Sequence, residues 1–133
     1  MNRPRVIVVD DHGPLLEQVQ QLLAPEFNVV GVLTDGDSAI EAVVRLAPDV
    51  LVLDLSMPGL SGIELARWAR NLKLDLKIVI LTVHEDQDLA RESFDAGASG
   101  YVVKSRIVSD LTAALHEVLA GRSYLSPSIH LDS

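Results

Sequence analysis

Acidic, hydroxyl and amino side chains follow the ends of four strand-like stretches in this sequence. Asp10 and Asp11 follow VIVV, Asp54 follows VLVL, Thr82 follows IVIL, and Lys104 follows GYVV. β-Branched and aliphatic runs favour buried strands, and a carboxylate at the end of a buried strand is costly unless a partner compensates its charge. The chemistry open to such a set is cation binding and the transfer of a charged group.

Electrostatic repulsion explains why these acids need a cation. Two carboxylates about 4 Å apart repel each other by roughly 4 kcal/mol at an effective dielectric near 20, so clustered carboxylates keep protons or bind a cation. Oxygen ligands in a chain without cysteine favour Mg²⁺ over zinc. We therefore expect Mg²⁺ beside Asp10 and Asp11, and Asp54 as the nucleophile of a phosphoryl transfer. The Thr82 hydroxyl and the Lys104 ammonium would stabilise charge on the transferred oxygens.

Each of these residues also has a purely structural explanation. Asp11 could be the N-cap of a helix with Pro14 in its first turn, and Asp54 could belong to the turn before MPG. Thr82 fits a strand or a cap, and Lys104 fits an exposed surface position. Taken together these explanations are weak, because every one of the positions follows an apolar strand at the same edge of the expected sheet.

The alternation of apolar runs with helical patterns predicts an α/β fold. The expected architecture is a flavodoxin-like (βα)5 three-layer sandwich with a parallel sheet of order 2-1-3-4-5. The helix expected near Asp86–Phe94 has a thin apolar stripe, which fits either a solvated surface helix or a moving part. The expected strands are Arg5–Val9, Asn28–Leu33, Val50–Leu53, Lys77–Leu81 and Gly100–Val103.

Composition bounds the possible functions. The 133 residues are enough for one domain, and the absence of cysteine excludes disulfides and thiolate zinc sites. No apolar run approaches the roughly 20 residues of a membrane span, so we expect a cytoplasmic protein without a membrane partner. The formal net charge of −8 argues against binding nucleic acid through the field of this segment.

Four stretches carry a family resemblance: VIVVDDHGPLL, PDVLVLDLSMPGLSGIEL, IVILTVHED and AGASGYVVKS. Together they resemble a response-regulator receiver domain of two-component signalling. The resemblance implies that a sensor histidine kinase phosphorylates Asp54 in the presence of Mg²⁺ and that Tyr101 is the switch aromatic. The response would alter the surface around the fourth helix and the fifth strand. The implied metal ligands are Asp10, Asp11, Asp54 and the backbone carbonyl of Met57, and the implied phosphoryl contacts are Thr82 and Lys104.

The C-terminal stretch ALHEVLAGRSYLSPSI is similar to the junction in regulators that carry a helix-turn-helix of the nitrate-regulator and quorum-regulator type. This implies a receiver domain at residues 1–121 and a linker at residues 122–133. DNA would be bound only by a C-terminal domain absent from this chain, to control transcription. A free-standing receiver is the alternative, and homodimerisation is left open.

Several details depart from the resemblance or compete with it. Ser105 follows Lys104 where many relatives have a proline with a cis bond, so we expect a trans bond here. His12 and His84 lie near the site without the spacing of a histidine metal site, and His116 and His130 are expected at the surface.

Two alternative functions stay open. One is a degenerate receiver that binds partners without being phosphorylated. The other is an aspartyl-phosphate hydrolase of the haloacid-dehalogenase type, although such enzymes have Asp-x-Asp where this chain has adjacent aspartates. A nucleotide-binding fold is weaker, because no G-x-G-x-x-G follows the first strand. The favoured interpretation is a phosphoacceptor that assists only its own phosphorylation and dephosphorylation, and not an enzyme.

Overall fold

The computed structural model describes residues 3–129 and 131. These residues form a six-stranded parallel sheet of order β2-β1-β3-β4-β5-β6. The strands are β1 (Arg5–Val9), β2 (Asn28–Leu33), β3 (Val50–Asp54), β4 (Lys77–Thr82), β5 (Gly100–Val103) and β6 (Tyr124–Leu125). The helices are α1 (Gly13–Leu23), α2 (Gly36–Leu46), α3 (Gly62–Asn71), α4 (Gln87–Ala96) and α5 (Ile107–Leu119), with a 3₁₀ turn at Lys104–Arg106.

The central strands are apolar on both faces because each face of the sheet is covered by helices. Successive strand residues point to opposite faces, so Val6 and Val8 pack with α1 and α5, whereas Ile7 and Val9 pack with α2 and α3. All four of these side chains are fully buried. The result is the three-layer α/β sandwich that the sequence predicts.

Helix α4 buries smaller side chains than α3, its neighbour in the same layer. Its buried residues are Ala90, Ser93 and Ala96, all of them small. Helix α3 next to it buries Ile63 and Leu65 and begins with a capping box formed by Ser61 and Glu64. Less apolar surface removed from water means a smaller free energy holding α4 to the sheet.

The predicted strand order is confirmed, and the structure adds one strand. Tyr124 and Leu125 pair in parallel with Gly100 and Tyr101, so the segment expected to be a linker extends the sheet at the edge next to β5. A two-residue strand in a serine- and proline-rich segment carries no hydrophobic period by which a sequence could indicate it. The boundary at residue 121 stays a prediction.

Other expectations have simple outcomes. The Lys104–Ser105 bond is trans, since no cis peptide bond occurs among residues 3–129. His116 is exposed and lies 3.2 Å from the Glu26 carboxylate. His130 is outside the described residues. In the described part of the chain, no helix combines the length and apolar character needed to cross a bilayer.

Candidate functional site

The carboxyl ends of four neighbouring strands bring the predicted residues to one edge of the sheet. Asp10 follows β1, Asp54 ends β3, Thr82 ends β4, and Lys104 follows β5. One carboxylate oxygen from each of Asp10, Asp11 and Asp54 lies within 4.8 Å of the other two. Three acids therefore do converge, as parallel strands that end at one edge require.

Asp10 is the most deeply buried acid of this cluster, with 1% of its surface exposed. Its Oδ1 accepts a hydrogen bond from the backbone N–H of His12 at 2.9 Å. Its Oδ2 lies 2.7 Å from Lys104 Nζ, which is an ion pair by distance. The same oxygen has no partner with hydrogen-bond geometry, so the contact is an electrostatic one and leaves acceptor capacity unused. A buried carboxylate oxygen with unused lone pairs, beside two further carboxylates, fits a hard divalent cation such as Mg²⁺.

Asp54 is nearly buried, with 8% of its surface exposed. Its Oδ2 lies 3.3 Å from Lys104 Nζ, and its Oδ1 accepts from the backbone N–H of Ser56 at 3.3 Å. Burial, reinforced by the neighbouring Asp10 charge, raises the pKa of Asp54, and the Lys104 ammonium opposes this only in part. The ammonium thus bridges two like-charged carboxylates without fully compensating them.

Close packing of the β3–α3 loop holds Asp54 in place. A Cβ atom on Gly62 would lie 2.8 Å from the Asp54 carbonyl oxygen, so the start of α3 can approach the strand end only because this residue has no side chain. Gly59, with φ of +81°, makes the turn between them in a conformation that other residues rarely adopt. The two glycines of the sequence MPGLSG therefore let the chain fold tightly beside Asp54.

A chain of contacts joins Thr82 to Tyr101 through the backbone of His84. The His84 N–H donates to Thr82 Oγ1 at 3.2 Å, and the His84 carbonyl accepts from the Tyr101 hydroxyl at 2.9 Å. Thr82 is 1% exposed, and the Tyr101 ring is fully buried. The predicted switch pair is thus connected, with the aromatic ring turned inward.

The start of α1 differs from the structural alternative considered for Asp11. The N-cap is His12, whose Nδ1 accepts from the backbone N–H of Leu15 at 3.3 Å. Asp11 is exposed and belongs to the carboxylate cluster. Met57, whose carbonyl is a predicted metal ligand, packs its side chain against the core.

Sequence reasoning missed a buried polar cluster behind the lysine. It consists of Asp110, which is 3% exposed, and Ser126, which is fully buried. The spacing of Arg106 and Asp110, four residues apart on a helix, is a pairing signal that could have indicated half of it. Ser126 carries no such signal, because its partners are distant in sequence.

Comparison with known proteins decides the family of this arrangement. Residues 6–116 match the model of the protein family described as "Response regulator receiver domain". The chain belongs to this family. Receiver domains of two-component response regulators act as phosphorylation switches in the control of transcription, and they bind Mg²⁺ at an acidic pocket. The family is one of signalling switches, which leaves the hydrolase alternative without support.

The chain is similar to curated transcriptional regulators. It is 34% identical to the transcriptional regulatory protein DegU of Brevibacillus brevis over 130 residues, which are 96% of this chain and 55% of that protein. It is 36% identical to the nitrate/nitrite response regulator NarL of Escherichia coli K12, over 93% of this chain and 58% of that protein. The chain thus spans a little over half the length of these relatives.

Solved structures show the same fold. A two-component response regulator of the LuxR family from Aurantimonas sp. SI85-9A1 has a TM-score of 0.90 and 37% identity, covering 96% of this chain and 93% of that one. The isolated receiver domain of RcsB from Salmonella enterica serovar Typhimurium, solved in the presence of the phosphomimetic BeF₃⁻, has a TM-score of 0.88 and 30% identity, covering 96% of both chains.

Proposed function

We propose that Asp54 is the phosphoacceptor of this receiver and that a sensor histidine kinase is its donor in the cell. One observation carries the proposal: the Lys104 ammonium lies between the carboxylates of Asp54 and Asp10, at 3.3 and 2.7 Å. In the transfer, an Asp54 oxygen forms a bond to phosphorus while the bond from phosphorus to the donor breaks. The ammonium and the Thr82 hydroxyl lie at the strand ends where they can receive the transferred oxygens.

The metal ligands we propose are the carboxylates of Asp10, Asp11 and Asp54 and the backbone carbonyl of Met57. The unused acceptor capacity of Asp10 Oδ2 and the clustering of three acids support this set. Bound Mg²⁺ would supply positive charge to the phosphoryl oxygens. The chain's own contribution is to keep Asp54 dehydrated, fixed and beside an ammonium, so that it reacts from an arranged position.

The switch we propose runs from Thr82 through the His84 backbone to Tyr101. Because the ring already lies inward, phosphorylation would favour this arrangement over others and would not need to create it. The surface that responds is formed by α4 and β5. This chain would pass the response to a DNA-binding domain C-terminal to residues 1–121; the match covers 55% and 58% of the transcriptional regulators DegU and NarL, which leaves room in them for a further domain. A cytoplasmic location and homodimerisation stay predictions.

The test is the intact mass of the chain before and after incubation with acetyl phosphate and Mg²⁺. We expect a gain of one phosphate in the wild type and in Asp75→Asn, an exposed acid outside the cluster, and no gain in Asp54→Asn. An undiminished gain in Asp54→Asn would contradict the assignment. No gain in the wild type would favour the alternative of a degenerate receiver that acts without phosphorylation.

A further inference from the structure

The loop that carries Lys104 is tied to the C-terminal segment by a side chain that completes the sheet edge. Strand β6 pairs with β5 only at Gly100 and Tyr101. Beyond that point the backbone N–H of Val103 has no strand partner on this side. It donates instead to the hydroxyl oxygen of Ser126 at 2.9 Å. Ser126 itself is held in register, because its N–H donates to the Tyr101 carbonyl at 3.0 Å.

The same hydroxyl connects the sheet edge to α5. Ser126 Oγ accepts from Val103 and donates its only hydrogen to Asp110 Oδ2 at 3.0 Å. Asp110 Oδ2 also accepts from Arg106 Nε at 2.8 Å, and Asp110 Oδ1 accepts from Ser109 Oγ at 3.3 Å. Burial alone would raise the pKa of Asp110, but the hydrogen bonds from the Arg106, Ser126 and Tyr124 side chains, together with the Arg106 charge, outweigh it and keep the pKa below its ordinary value. The carboxylate is therefore charged and fully engaged at neutral pH.

These contacts close a ring around the turn that holds Lys104. The ring runs from Val103 through Ser126 and Asp110 to Arg106 and returns along the chain through Lys104. Lysine is a flexible side chain with four methylene groups, so holding Val103 by its backbone on one side and Arg106 by its side chain on the other limits where the ammonium can reach. That ammonium is the group between Asp10 and Asp54.

We propose that Ser126 and Asp110 are positioning residues for phosphoryl transfer to Asp54, acting through Lys104. This inference rests on the function proposed above. It makes the C-terminal segment part of the reactive site, although neither residue touches the phosphoacceptor. A misplacement of about 1 Å in a reacting group can cost on the order of 100-fold in rate, so loosening the turn has a measurable consequence.

The experiment measures the rate of phosphorylation of the full chain by acetyl phosphate with saturating Mg²⁺. Ser126→Ala removes the hydroxyl, and we expect a rate at least about fivefold lower than in the wild type. The matched control is Ser128→Ala, because Ser128 is an exposed serine of the same segment, and we expect it to react at the wild-type rate. Thermal unfolding of each variant establishes that it folds.

A second variant removes the Asp110 side of the ring, so that the proposal can still be tested if Ser126→Ala does not fold. Asp110→Asn keeps the shape of the side chain and removes its charge, and we expect it to slow the reaction similarly. Its control is Glu117→Gln, which removes a charge from the same helix and breaks an exposed ion pair with Arg122. This control should react at the wild-type rate.

The decisive comparison repeats Ser126→Ala in a Lys104→Met background. A positioning role through the lysine predicts no further loss there, because coupled residues are not additive. An equal loss in both backgrounds would assign Ser126 a merely structural role and overturn the inference. Unchanged rates in both Ser126→Ala and Asp110→Asn would overturn it as well, while wild-type phosphorylation upholds the proposed function. A wild-type chain that takes no phosphate would overturn both.

Discussion

At the scale of single residues, the Tyr101 hydroxyl is the clearest case of an environment that changes a side chain. Burial, followed by the nearby Asp86 charge, raises the pKa of Tyr101 from 10.0 to about 12. A phenol whose pKa is higher in the folded protein than in the unfolded chain stabilises the fold fully below pH 10, and this contribution is lost as pH rises towards 12. The hydroxyl is therefore a proton donor to the His84 carbonyl throughout the neutral range.

We expect wild type and Tyr101→Phe to differ in how their stability depends on alkaline pH. From neutral pH to pH 10 the difference in free energy of unfolding should be constant, and the wild type should then lose about 2 kcal/mol more than the variant by pH 12. Urea unfolding at a series of pH values measures this. Lysine titration affects both proteins alike, so the variant is its own control. Parallel curves through this range would mean that the hydroxyl is not held as described.

The residues that could be predicted from sequence are those at the ends of apolar strands. Asp10, Asp54 and Lys104 converge because parallel strands deliver their carboxyl ends to one edge, and this follows from strand order alone. The helix cap could not be assigned in this way, since Asp11 and His12 are adjacent and both can accept a hydrogen bond. Ser126 could not be found at all, because its contact with Val103 exists only in the folded sheet.

At the scale of elements, α4 is the part of the molecule that is easiest to rearrange. Its fully buried side chains are alanine and serine, and Leu89 and Phe94 are only partly buried against the core. Ser93 donates its hydroxyl hydrogen to the Leu89 carbonyl of the same helix. Helix α1 on the opposite face buries Leu16, Val19 and Leu23. Elements with little buried apolar area open at low free energy.

We expect phosphorylation to slow hydrogen exchange in residues 83–96, because an ordered Thr82 and an inward Tyr101 hold the start of α4. Exchange in α1 should be unchanged, which makes it an internal reference. Mass spectrometry of peptides before and after treatment with acetyl phosphate and Mg²⁺ measures both regions. The wild type given Mg²⁺ without acetyl phosphate is the control for effects of Mg²⁺ itself. Equal changes in α1 and α4 would contradict a response confined to the α4 side.

Five strands could be predicted because each is a short, mostly apolar run with polar or turn-forming residues after it. The thin stripe on α4 was also visible, since its sequence DQDLARESFD offers few apolar positions. Strand β6 could not be predicted, because pairing at Tyr124 and Leu125 depends on the free edge of β5 and not on local composition.

At the scale of the whole molecule, the formal net charge of −8 attracts cations in general. A specific cation site must therefore be distinguished from this general attraction. The chain has 19 acidic and 11 basic side chains, and any salt screens the repulsion that results from the excess of acids. A site formed by Asp10, Asp11 and Asp54 would instead bind Mg²⁺ directly, because one carboxylate oxygen from each lies within 4.8 Å of the others and these like charges repel one another. Relief of that local repulsion adds to the free energy of binding.

We expect Mg²⁺ to raise the unfolding temperature of the wild type beyond the effect of NaCl at equal ionic strength. A ligand at 100 times its Kd stabilises the folded state by about 2.7 kcal/mol, which corresponds to roughly 5 to 10 °C for a domain of this size. Asp10→Asn and Asp75→Asn each remove one acid, so both variants have a formal net charge of −7 against −8. Asp75→Asn should keep the full shift, because this exposed residue is outside the cluster. Asp10→Asn should lose most of it, because the buried oxygen with unused lone pairs is replaced. Equal shifts in the two variants would show that Mg²⁺ acts on the overall charge and not at the carboxyl ends of the strands.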